Sequence, residues 1–394
     1  MVCEHEPMGR ILLGTSGWSY DDWVGPFYEQ RKWMFDYYVK VFDTVEVNST
    51  FYSLPPGWMV QFWAKRAPKN FEFAAKVPKT ITHKKKLKSA EKDIETFLDL
   101  MEPLRKEGKL GPLLFQLPPG LKFSPDLLKS LLEGLPSTHM FAVEFRDPSW
   151  LNKETWRILE NHNVAYVVVD EPLLPPELVV TADFVYIRWH GRGSRPWYNY
   201  HYSKDELKEW VPKVKEAASK GKVYGYFNNH FKAFAPKNCL ELAEMLGLEL
   251  KPQAVEAKGK LEDWFKEVSP EEVPPPISEP KGLIETLSVE ELLESFMDRR
   301  RFERATKIPE SSVEVLEANP QLIRAKVKDY RVELDVSKKL LLHDCADWGR
   351  VCVKKQFCKH LGRLFMSLPE ELAEEILRRI LREKEEWKFR PFTE

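Results

Sequence analysis

The sequence predicts an α/β fold in which eight β/α units close into a barrel, followed by a linker and a small metal-binding domain. Eight short runs of β-branched and aromatic residues alternate with helical stretches between residues 10 and 250. Most of these runs are apolar throughout, as expected of strands that a parallel sheet buries on both faces. Near the C-terminus, His343 with Cys345 and Cys358 with His360 form two short pairs of metal-binding residue types.

The strands and helices alternate in the order that a (β/α)8 barrel requires. The predicted strands are Ile11–Ser16, Thr44–Asn48, Phe71–Val77, Pro112–Leu117, Met140–Phe145, Val164–Asp170, Phe184–His190 and Lys222–Asn228. The clearest helical stretches are Lys32–Phe42, Ala90–Arg105, Lys153–Asn161, Ser203–Ser219 and Lys237–Leu246. A doubly wound open sheet is the alternative, and the count of eight units favours the barrel.

The length of 394 residues predicts more than one domain. We expect the barrel to span residues 8–265 and a second domain to span 287–394. Between them, residues 266–286 are rich in Pro and Glu, which predicts a stiff solvated linker.

The second domain is expected to combine helices with a metal site. Residues 288–305 and 362–382 have helical patterns, the second interrupted at Pro369. Residues 321–363 hold two strand-like runs together with the His/Cys pairs.

Composition limits the class of protein. The formal net charge is −1, so no global field attracts the chain to nucleic acid or membrane, and any such attraction must be local. Five cysteines without disulfide spacing indicate a reducing cytoplasm. No apolar run is long enough for a membrane span, and residues 1–10 lack the layout of a signal peptide. The high share of charged residues and six Gln favour a thermophilic source.

Polar side chains stand at the C-terminal ends of all eight predicted strands, where barrels of this kind carry their catalytic groups. Because side chains alternate along a strand, Glu144 shares a face with Arg146, and Arg188 shares one with His190. We predict these candidate catalytic residues: Glu46, Lys76, Glu144, Asp170, His190 and His230. The candidate substrate-binding residues are Ser16, Trp18, Asn48, Tyr52, Gln116, Arg146, Arg188, Asn228 and Asn229.

Each residue type suggests a role. The carboxylates suit general acid–base work or a divalent metal in the barrel, and the arginines suit an anionic group such as phosphate. Histidines transfer protons, and a desolvated Lys76 would be an amine nucleophile. The alternative is structural: Glu144–Arg146 and Glu46–Arg188 would be internal ion pairs that merely line the barrel mouth.

Five motifs in order carry a resemblance to a known family. They are Gly14–Trp18, Glu46–Tyr52, Glu144–Arg146, Arg188–Gly191 and Tyr226–His230. Over residues 10–250 the chain resembles the YecE-like domain of unknown function 72. The resemblance implies a TIM barrel, broadly similar to the superfamily of endonuclease IV and the xylose isomerases, and implies no defined reaction.

The tail resembles a SWIM zinc finger, whose pattern is Cys-x-Cys, a spacer and Cys-x-His. His343 stands where the first Cys would be, whereas Cys345, Cys358 and His360 match. The resemblance implies a structural Zn²⁺ held by these four residues and binding to DNA or protein. Cys352 remains a competing ligand.

Three functions are therefore open. The first is a nucleic-acid-processing enzyme that binds DNA through the finger and cleaves a phosphodiester or glycosidic bond at a damaged or unusual nucleotide. It draws on the excess of Lys and Arg over Asp and Glu in residues 321–363. The second is a barrel enzyme acting on a sugar or phosphorylated metabolite, with the finger as a protein-docking module. The third is a non-catalytic adaptor.

Overall fold

The computed structural model describes residues 9–193, 198–267, 289–384 and 386–392. The chain divides into two compact units, Met1–Pro276 and Ile277–Glu394. The predicted linker at 266–286 begins inside a helix that ends at Glu267, and the rest of it lies outside the described residues.

The first unit is built on one sheet of eight parallel strands. They are β1 (Ile11–Thr15), β2 (Thr44–Val47), β3 (Glu72–Lys76), β4 (Leu110–Gln116), β5 (Phe141–Glu144), β6 (Ala165–Asp170), β7 (Phe184–Trp189) and β8 (Lys222–Phe227). Their order in the sheet is β1-β8-β7-β6-β5-β4-β3-β2. A parallel bridge joins Ser16 to Glu46, and the Gly17 N–H donates to the Glu46 carbonyl at 2.8 Å. These contacts close β1 onto β2, so the barrel is confirmed and the open sheet is not.

The barrel interior is packed with side chains from alternate strand positions. One buried cluster contains Leu12, Ala74, Leu114, Ala142, Ala165, Val167, Val169, Phe184, Tyr186, Tyr224 and Tyr226. Successive side chains of a strand point to opposite faces, so this cluster identifies which positions of each strand face inward. The same parity sends the polar residues at the strand ends either into the mouth or out toward the helices.

Helices surround the sheet. They are α1 (Met34–Val41), α2 (Ser49–Tyr52), α3 (Gly57–Arg66), α4 (Glu91–Lys106), α5 (Pro125–Glu133), α6 (Lys153–Asn161), α7 (Lys204–Ala218), α8 (Phe234–Met245) and α9 (Pro252–Glu267). α7 begins where the sequence predicts, because Ser203 and Glu206 form a reciprocal capping box that satisfies two backbone N–H groups.

The connection from β6 to β7 departs from the predicted alternation. Residues 171–183, all of which are described, contain no helix. Pro172, Pro175 and Pro176 lie in this segment, and proline removes a helix donor and clashes with the preceding turn. Leu174 instead packs into the interior cluster of the barrel. The eight-stranded barrel is as predicted, and one of its β/α units lacks the helix.

The second unit combines a five-stranded sheet with helices. Its strands are β9 (Val313–Ala318), β10 (Leu322–Val327), β11 (Tyr330–Asp335), β12 (Leu340–His343) and β13 (Lys388–Pro391), in the order β13-β12-β11-β10-β9. Its helices are α10 (Val289–Glu294), α11 (Arg299–Thr306), α12 (Trp348–Val351), α13 (Lys359–Ser367) and α14 (Glu370–Arg382). Strands β9 to β12 form an antiparallel meander, and β13 adds in parallel to β12.

Two helix predictions in this unit have different outcomes. The break at Pro369 is confirmed, since α13 ends at Ser367 and α14 starts at Glu370. The stretch expected to be helical over residues 288–305 holds two helices, α10 and α11, because Asp298 caps the N-terminus of α11 by accepting from the Arg301 N–H. In the described part of the chain, no helix is both long and apolar enough to cross a membrane.

Candidate active site and metal centre

Five charged side chains form a continuous line at the C-terminal ends of the barrel strands. Arg188 Nη2 lies 2.7 Å from Glu46 Oε1, and its Nη1 lies 2.5 Å from Glu144 Oε2. Glu144 Oε1 lies 2.5 Å from Arg146 Nε, and Arg146 Nη1 lies 2.6 Å from Glu171 Oε2. We call Glu46–Arg188–Glu144–Arg146–Glu171 the strand-end network. It unites both ion pairs that the structural alternative anticipated.

The strand-end network is buried except at one member. The side chains of Glu46 and Glu144 are fully buried, and that of Arg188 is 1% exposed. The Arg146 side chain is 14% exposed, the most of the five, whereas Glu171 is 1% exposed. Taking charges out of water costs several kcal/mol for each ion unless they are paired, so mutual pairing is what makes this arrangement possible. Solvent meets the network chiefly at Arg146.

Neutral side chains complete the hydrogen bonding of Glu46 and Arg188. The Ser16 hydroxyl donates to Oε1 at 2.7 Å, and the Tyr186 hydroxyl donates to Oε2 at 2.6 Å. Gln116 Oε1 accepts from Arg188 Nη1 at 3.4 Å. Ser16, Gln116 and Glu46 thus meet as predicted, and Tyr186 joins them from the interior face of β7.

The pairing fixes the ionisation of the central carboxylate. Burial alone would raise the pKa of Glu144, but Arg146 and Arg188 outweigh it and hold that pKa well below its usual range. Burial opposes the charge of Arg188, yet Glu144 and Glu46 raise its pKa. Glu144 is therefore a permanent anion that orients two guanidinium groups, and it is poorly suited to donate a proton.

His190 lies against the network as a neutral imidazole. Its Nε2 is 3.5 Å from Glu144 Oε1, and its Nδ1 is 2.9 Å from Asn228 Nδ2. Burial, followed by the charges of Arg188 and Arg146, lowers the pKa of His190 to about 4. The predicted grouping of His190, Arg146, Arg188 and Asn228 is therefore present in the structure.

His230 occupies a second buried position at the end of β8. Its Nδ1 is 2.9 Å from the Asn228 carbonyl oxygen, and its ring stacks on Tyr20 and Tyr198 with centroid distances of 4.7 and 5.2 Å. Burial lowers the pKa of His230 to about 4. Its Nε2 is buried and has no hydrogen-bond partner among the described residues.

Asp170 faces away from the mouth, contrary to the grouping the sequence predicts. Its carboxylate accepts from Trp210 Nε1 of α7 at 2.6 Å and from Arg192 Nε at 2.9 Å. Val169 is part of the interior cluster, so alternation sends Asp170 outward and brings Glu171 to the mouth. Glu171 takes the place in the network that the sequence gives to Asp170.

Lys76 and the residues after β2 lie near one another at the mouth. The Lys76 side chain is buried, and its Nζ lies 3.7 Å from the centroid of the Phe51 ring, a cation–π contact. Tyr52 packs edge-on against Phe51 and is half-buried, as is Asn48. This arrangement gives Lys76 an aromatic neighbour suited to a cation.

Trp18 and Asn229 have partners that give them packing roles. Trp18 contacts Phe35 of α1 and Trp63 of α3, with ring centroids 5.3 and 5.5 Å away. The fully buried Asn229 donates to Asn238 Oδ1 at 2.9 Å and thereby ties the end of β8 to α8.

Four predicted metal ligands come together in the second unit. His343 ends β12, Cys345 follows it, Cys358 caps α13 and His360 lies in the first turn of that helix. All four are buried, and their ligand atoms lie within 4.8 Å of one another. Two sulfur and two imidazole donors match the ligand preference of a tetrahedral zinc site. In the described part of the chain no second group of this kind forms, in the barrel or elsewhere.

Hydrogen bonding prepares His343 to act as a ligand. Its Nδ1 is 2.6 Å from the carbonyl oxygen of Arg331, so Nδ1 carries the proton. Its buried Nε2 has no hydrogen-bond partner among the described residues and is left as the donor atom for a metal. A carbonyl that orients a ligating imidazole in this way is usual at metal sites.

The pKa values of the two thiols are shifted in opposite directions. The hydrogen bond from Cys358, together with His343 and His360, lowers the pKa of Cys345. Burial and the neighbouring Cys345 raise the pKa of Cys358. One thiolate beside one thiol is the expected state of such a pair before a metal draws both into coordination.

Cys352 is outside the group. Its Sγ lies 3.7 Å from the Gly349 carbonyl oxygen, consistent with a weak bond to its own helical turn. The four residues that do converge include His343, so the geometry favours His343 over Cys352 as the fourth ligand.

The basic window at residues 321–363 is largely compensated in the folded unit. At least seven of its eleven Lys and Arg residues have a carboxylate within 4.0 Å: Arg324, Lys326, Arg331, Lys338, Lys339, Arg350 and Arg363. Several of these carboxylates, such as Glu310 and Glu386, come from outside the window. The local excess of positive charge in the sequence is therefore smaller on the surface of the folded protein.

Comparison with known proteins places the barrel in a family. The model of the family described as "Protein of unknown function DUF72" matches residues 12–261. The chain belongs to the DUF72 family. The protein YunF of Bacillus subtilis (strain 168), of the UPF0759 group, is 25% identical over 273 residues, which cover 61% of this chain and 95% of YunF. YecE of Escherichia coli (strain K12) is 32% identical over 146 residues, which cover 36% of this chain and 51% of YecE.

Solved DUF72 structures have the same barrel. A DUF72 protein from Thermotoga maritima MSB8 is 36% identical and superposes with a TM-score of 0.56, covering 60% of this chain and 99% of that one. A DUF72 protein from Enterococcus faecalis V583 is 25% identical with a TM-score of 0.53, covering 62% of this chain and 100% of that one. The expected YecE-like resemblance is thereby confirmed.

The DUF72 match contains the whole strand-end network, whereas the His/Cys group lies beyond it. Sequence reasoning missed two residues of the DUF72 site, Glu171 and Tyr186. Tyr186 could have been found from strand parity, since it lies two positions before Arg188 on the same face of β7, whereas the apolar run of β6 does not show which of its faces points inward.

Proposed function

We propose that the DUF72 barrel of this protein is an enzyme that acts on a small hydroxylated or phosphorylated molecule, such as a sugar or a sugar phosphate. The observation that carries the proposal is the strand-end network, which is buried along its length and meets solvent at Arg146. In barrels of this fold, the C-terminal ends of the strands carry the active site.

Burying the charges of the strand-end network costs desolvation free energy, which supports a functional reason for keeping them. Replacing a buried ion pair by apolar residues of similar volume is often neutral or stabilises a protein by about 1–4 kcal/mol. The layers below the network are largely apolar, as Val167 and Leu114 illustrate. Charges concentrated in one layer with shifted pKa values are typical of catalytic sites.

Each member has a role in this proposal. Arg146, the exposed guanidinium, binds the phosphate or hydroxyl groups of the substrate. Glu144 stays ionised, holds both arginines in place and stabilises positive charge that develops during bond cleavage. Glu171 and His190 lie beside Arg146 and provide polar groups for acid–base hydrolysis of a glycosidic or phosphoester bond.

A binding experiment with a variant tests the proposal. A panel of sugars and sugar phosphates is screened by thermal shift, and each compound that raises the unfolding midpoint is titrated calorimetrically. Arg146→Ala should weaken binding at least about tenfold, because a hydrogen bond to a charged group contributes about 1.5–3 kcal/mol. Glu241→Gln is the control, since this buried carboxylate pairs with Lys237 on α8. Equal binding by Arg146→Ala, or binding by no compound, would contradict the proposal.

A nucleic-acid-processing enzyme is the second candidate. In this proposal the C-terminal unit holds DNA, and the barrel mouth cleaves at a damaged nucleotide. The favouring observation is that exposed Lys328 precedes the His/Cys group in sequence and exposed Lys354 lies between its two pairs. Fluorescence anisotropy with a duplex containing an abasic site, at about 50 and 200 mM salt, tests it through the salt dependence of phosphate contacts. Absence of binding at the lower concentration removes this candidate and leaves the C-terminal unit as a protein-docking module.

For the His/Cys group we propose one structural Zn²⁺ per chain. His343 through Nε2, the sulfurs of Cys345 and Cys358, and His360 would hold it, and its chemistry there is to cross-link β12 to α13. Elemental analysis of purified protein should find about one zinc per chain, and Cys358→Ser should lose it, since four-ligand sites are typical of structural zinc. Cys352→Ser is the matched control and should retain the metal.

A further inference from the structure

Asn228 lies between two histidines at the ends of β7 and β8. Its Nδ2 is 2.9 Å from Nδ1 of His190, while its backbone carbonyl oxygen is 2.9 Å from Nδ1 of His230. Nε2 of His190 has guanidinium donors 3.4 Å away, Arg146 Nη2 and Arg188 Nη1, as well as the Glu144 carboxylate, so the contacts of His190 do not assign its ring proton to one nitrogen. The carbonyl accepts, so Nδ1 of His230 carries the proton and its Nε2 is bare. Asn228 therefore contacts both imidazoles, and its backbone carbonyl fixes the tautomer of His230.

The two Nε2 atoms have different surroundings. Nε2 of His190 faces the strand-end network, 3.4 Å from both Arg146 Nη2 and Arg188 Nη1 and 3.5 Å from Glu144 Oε1. Nε2 of His230 is buried and has no hydrogen-bond partner among the residues that the structure describes, although the residue is only 2% exposed. Buried polar atoms are nearly always hydrogen-bonded, so a bare acceptor of this kind indicates a partner that brings its own proton.

His230 belongs to the same mouth as the network. Its ring stacks on Tyr20, whose hydroxyl donates to the Ser16 carbonyl oxygen at 2.5 Å, and the Ser16 hydroxyl donates to Glu46 at 2.7 Å. The position of His230 is thus tied through two residues to one end of the network. Its ring is also held from the side of Tyr198, with a centroid distance of 5.2 Å.

The backbone beside His230 is unusual. Lys232 and Ala233, two consecutive residues other than glycine, have φ angles of 54° and 60°. Left-handed conformations cost energy for such residues and occur mainly where the surrounding structure imposes them. Here Asp22 accepts from the Lys232 N–H at 2.6 Å, which holds the turn that follows His230.

From this geometry we infer that His230 is the proton acceptor of the barrel site, and that Asn228 is the positioning residue whose backbone carbonyl holds the ring proton of His230 on Nδ1. The inference rests on the proposed function. In the step, an O–H bond of the substrate or of an attacking water breaks. Its proton forms a new N–H bond at Nε2 of His230, and the electron pair stays on the oxygen. The resulting imidazolium lies between Tyr20 and Tyr198, whose ring faces attract a cation.

Long-range ¹⁵N–¹H correlation spectra of the histidine side chains test the assignment without any ligand. At neutral pH, His230 should show the Nδ1–H tautomer, with peaks assigned from His190→Gln and His230→Gln. His162 is an internal reference for the Nδ1–H form, since its Nδ1 lies 2.8 Å from the Ile158 carbonyl oxygen.

Asn228→Asp keeps the shape of the side chain and should affect only one of the two histidines. A carboxylate accepts, so His190 should be protonated at Nδ1 in this variant, whereas His230 should be unaffected because its partner is a backbone carbonyl. An Nε2–H tautomer on His230 in the wild type would overturn the inference, and so would a change in the His230 tautomer in Asn228→Asp. Failure of the proposed function is a separate result, since it is decided by the ligand panel.

Discussion

Arg188 is the residue on which the strand-end network depends. It is 1% exposed and contacts both fully buried glutamates, Glu46 and Glu144, while Arg146 extends the line to the solvent. Because each carboxylate shares a guanidinium with another group, removing one member leaves a charge without compensation in the barrel interior. The same residues therefore set both the stability of the barrel mouth and its ability to bind.

Replacing the central arginine should be strongly destabilising. We expect Arg188→Met to lower the free energy of unfolding by about 3–5 kcal/mol, because it leaves two buried carboxylates without their shared partner. Urea denaturation followed by circular dichroism measures this loss. Arg105→Met, which breaks an exposed pair with Glu102, should change the free energy of unfolding far less than Arg188→Met does, because solvent screens the pair. Similar losses for the two variants would contradict the energetic role of Arg188.

The buried histidines make stability depend on pH. Burial depresses the pKa of His190 and of His230 to about 4 from the usual 6.5, so between these values the folded state binds fewer protons than the unfolded state. Stability should therefore fall as the pH drops from 6.5 to 4, by up to about 1.4 kcal/mol per pH unit for each histidine. Unfolding midpoints between pH 7 and pH 4.5 test this. The slope should flatten in His230→Gln, and an unchanged slope would contradict the burial argument.

At the scale of elements, the closure of the barrel between β1 and β2 positions Glu46 beside Ser16. The two strands approach closely at Gly14, where an added Cβ would lie 2.3 Å from the Thr44 carbonyl oxygen. Backbone atoms cannot move aside as the end of a long side chain can. The absence of a side chain at this position therefore lets the sheet close and brings the first strand into the mouth.

Gly14→Ala should disturb this closure. We expect a loss of about 1–3 kcal/mol or more, because the methyl group overpacks against backbone. Gly259→Ala is the control: a Cβ there meets nothing within 4 Å, and replacing a helical glycine by alanine should stabilise α9 by about 0.5–1 kcal/mol. Thermal unfolding of both variants measures the difference, and a neutral Gly14→Ala would show that the strands can separate without cost.

The positions of the strands were easier to predict from the sequence than the directions of their side chains. The strands were predictable because buried parallel strands are apolar throughout, and the ends of β1 and β6 agree with the prediction to within one residue. Side-chain direction was less predictable, because a run such as Ala165–Asp170 is buried on both faces and its pattern does not reveal which face is inward. For that reason Asp170 was favoured over Glu171.

The metal ligands were more accessible to prediction than the barrel site. Each pair is separated by one residue, so sequence spacing alone brings its two ligands together. The convergence of Glu46, Glu144 and Arg188 depends instead on strands that are distant in sequence and on a sheet that closes. The choice between His343 and Cys352 also required coordinates, since Cys352 faces the Gly349 carbonyl of its own turn.

At the scale of the whole molecule, the chain joins a DUF72 barrel to a smaller unit with a different source of stability. The barrel has its own packed interior, whereas the core of the smaller unit includes Cys345, Cys358 and the aromatic Trp348. Metal sites in small units contribute directly to folding, because the ligands come together only in the folded state.

Removal of metal should therefore affect one unit before the other. On treatment with a strong chelator, we expect the smaller unit to unfold at a lower temperature while the barrel transition stays in place, giving two separate steps in calorimetry. Adding back Zn²⁺ should restore the first step to higher temperature. A single transition that the chelator leaves unchanged would contradict a structural metal.

The most direct test of the central claim is a crystal structure of the protein with a compound that the ligand screen identifies. We expect density for the compound at the C-terminal ends of the strands, with an oxygen within hydrogen-bonding distance of Arg146 and with the Glu46–Arg188–Glu144 pairs intact beneath it. A ligand seated elsewhere, for example in the groove between α4 and α5 that Ile94, Leu98 and Leu131 line, would contradict the assignment of the barrel mouth as the functional site.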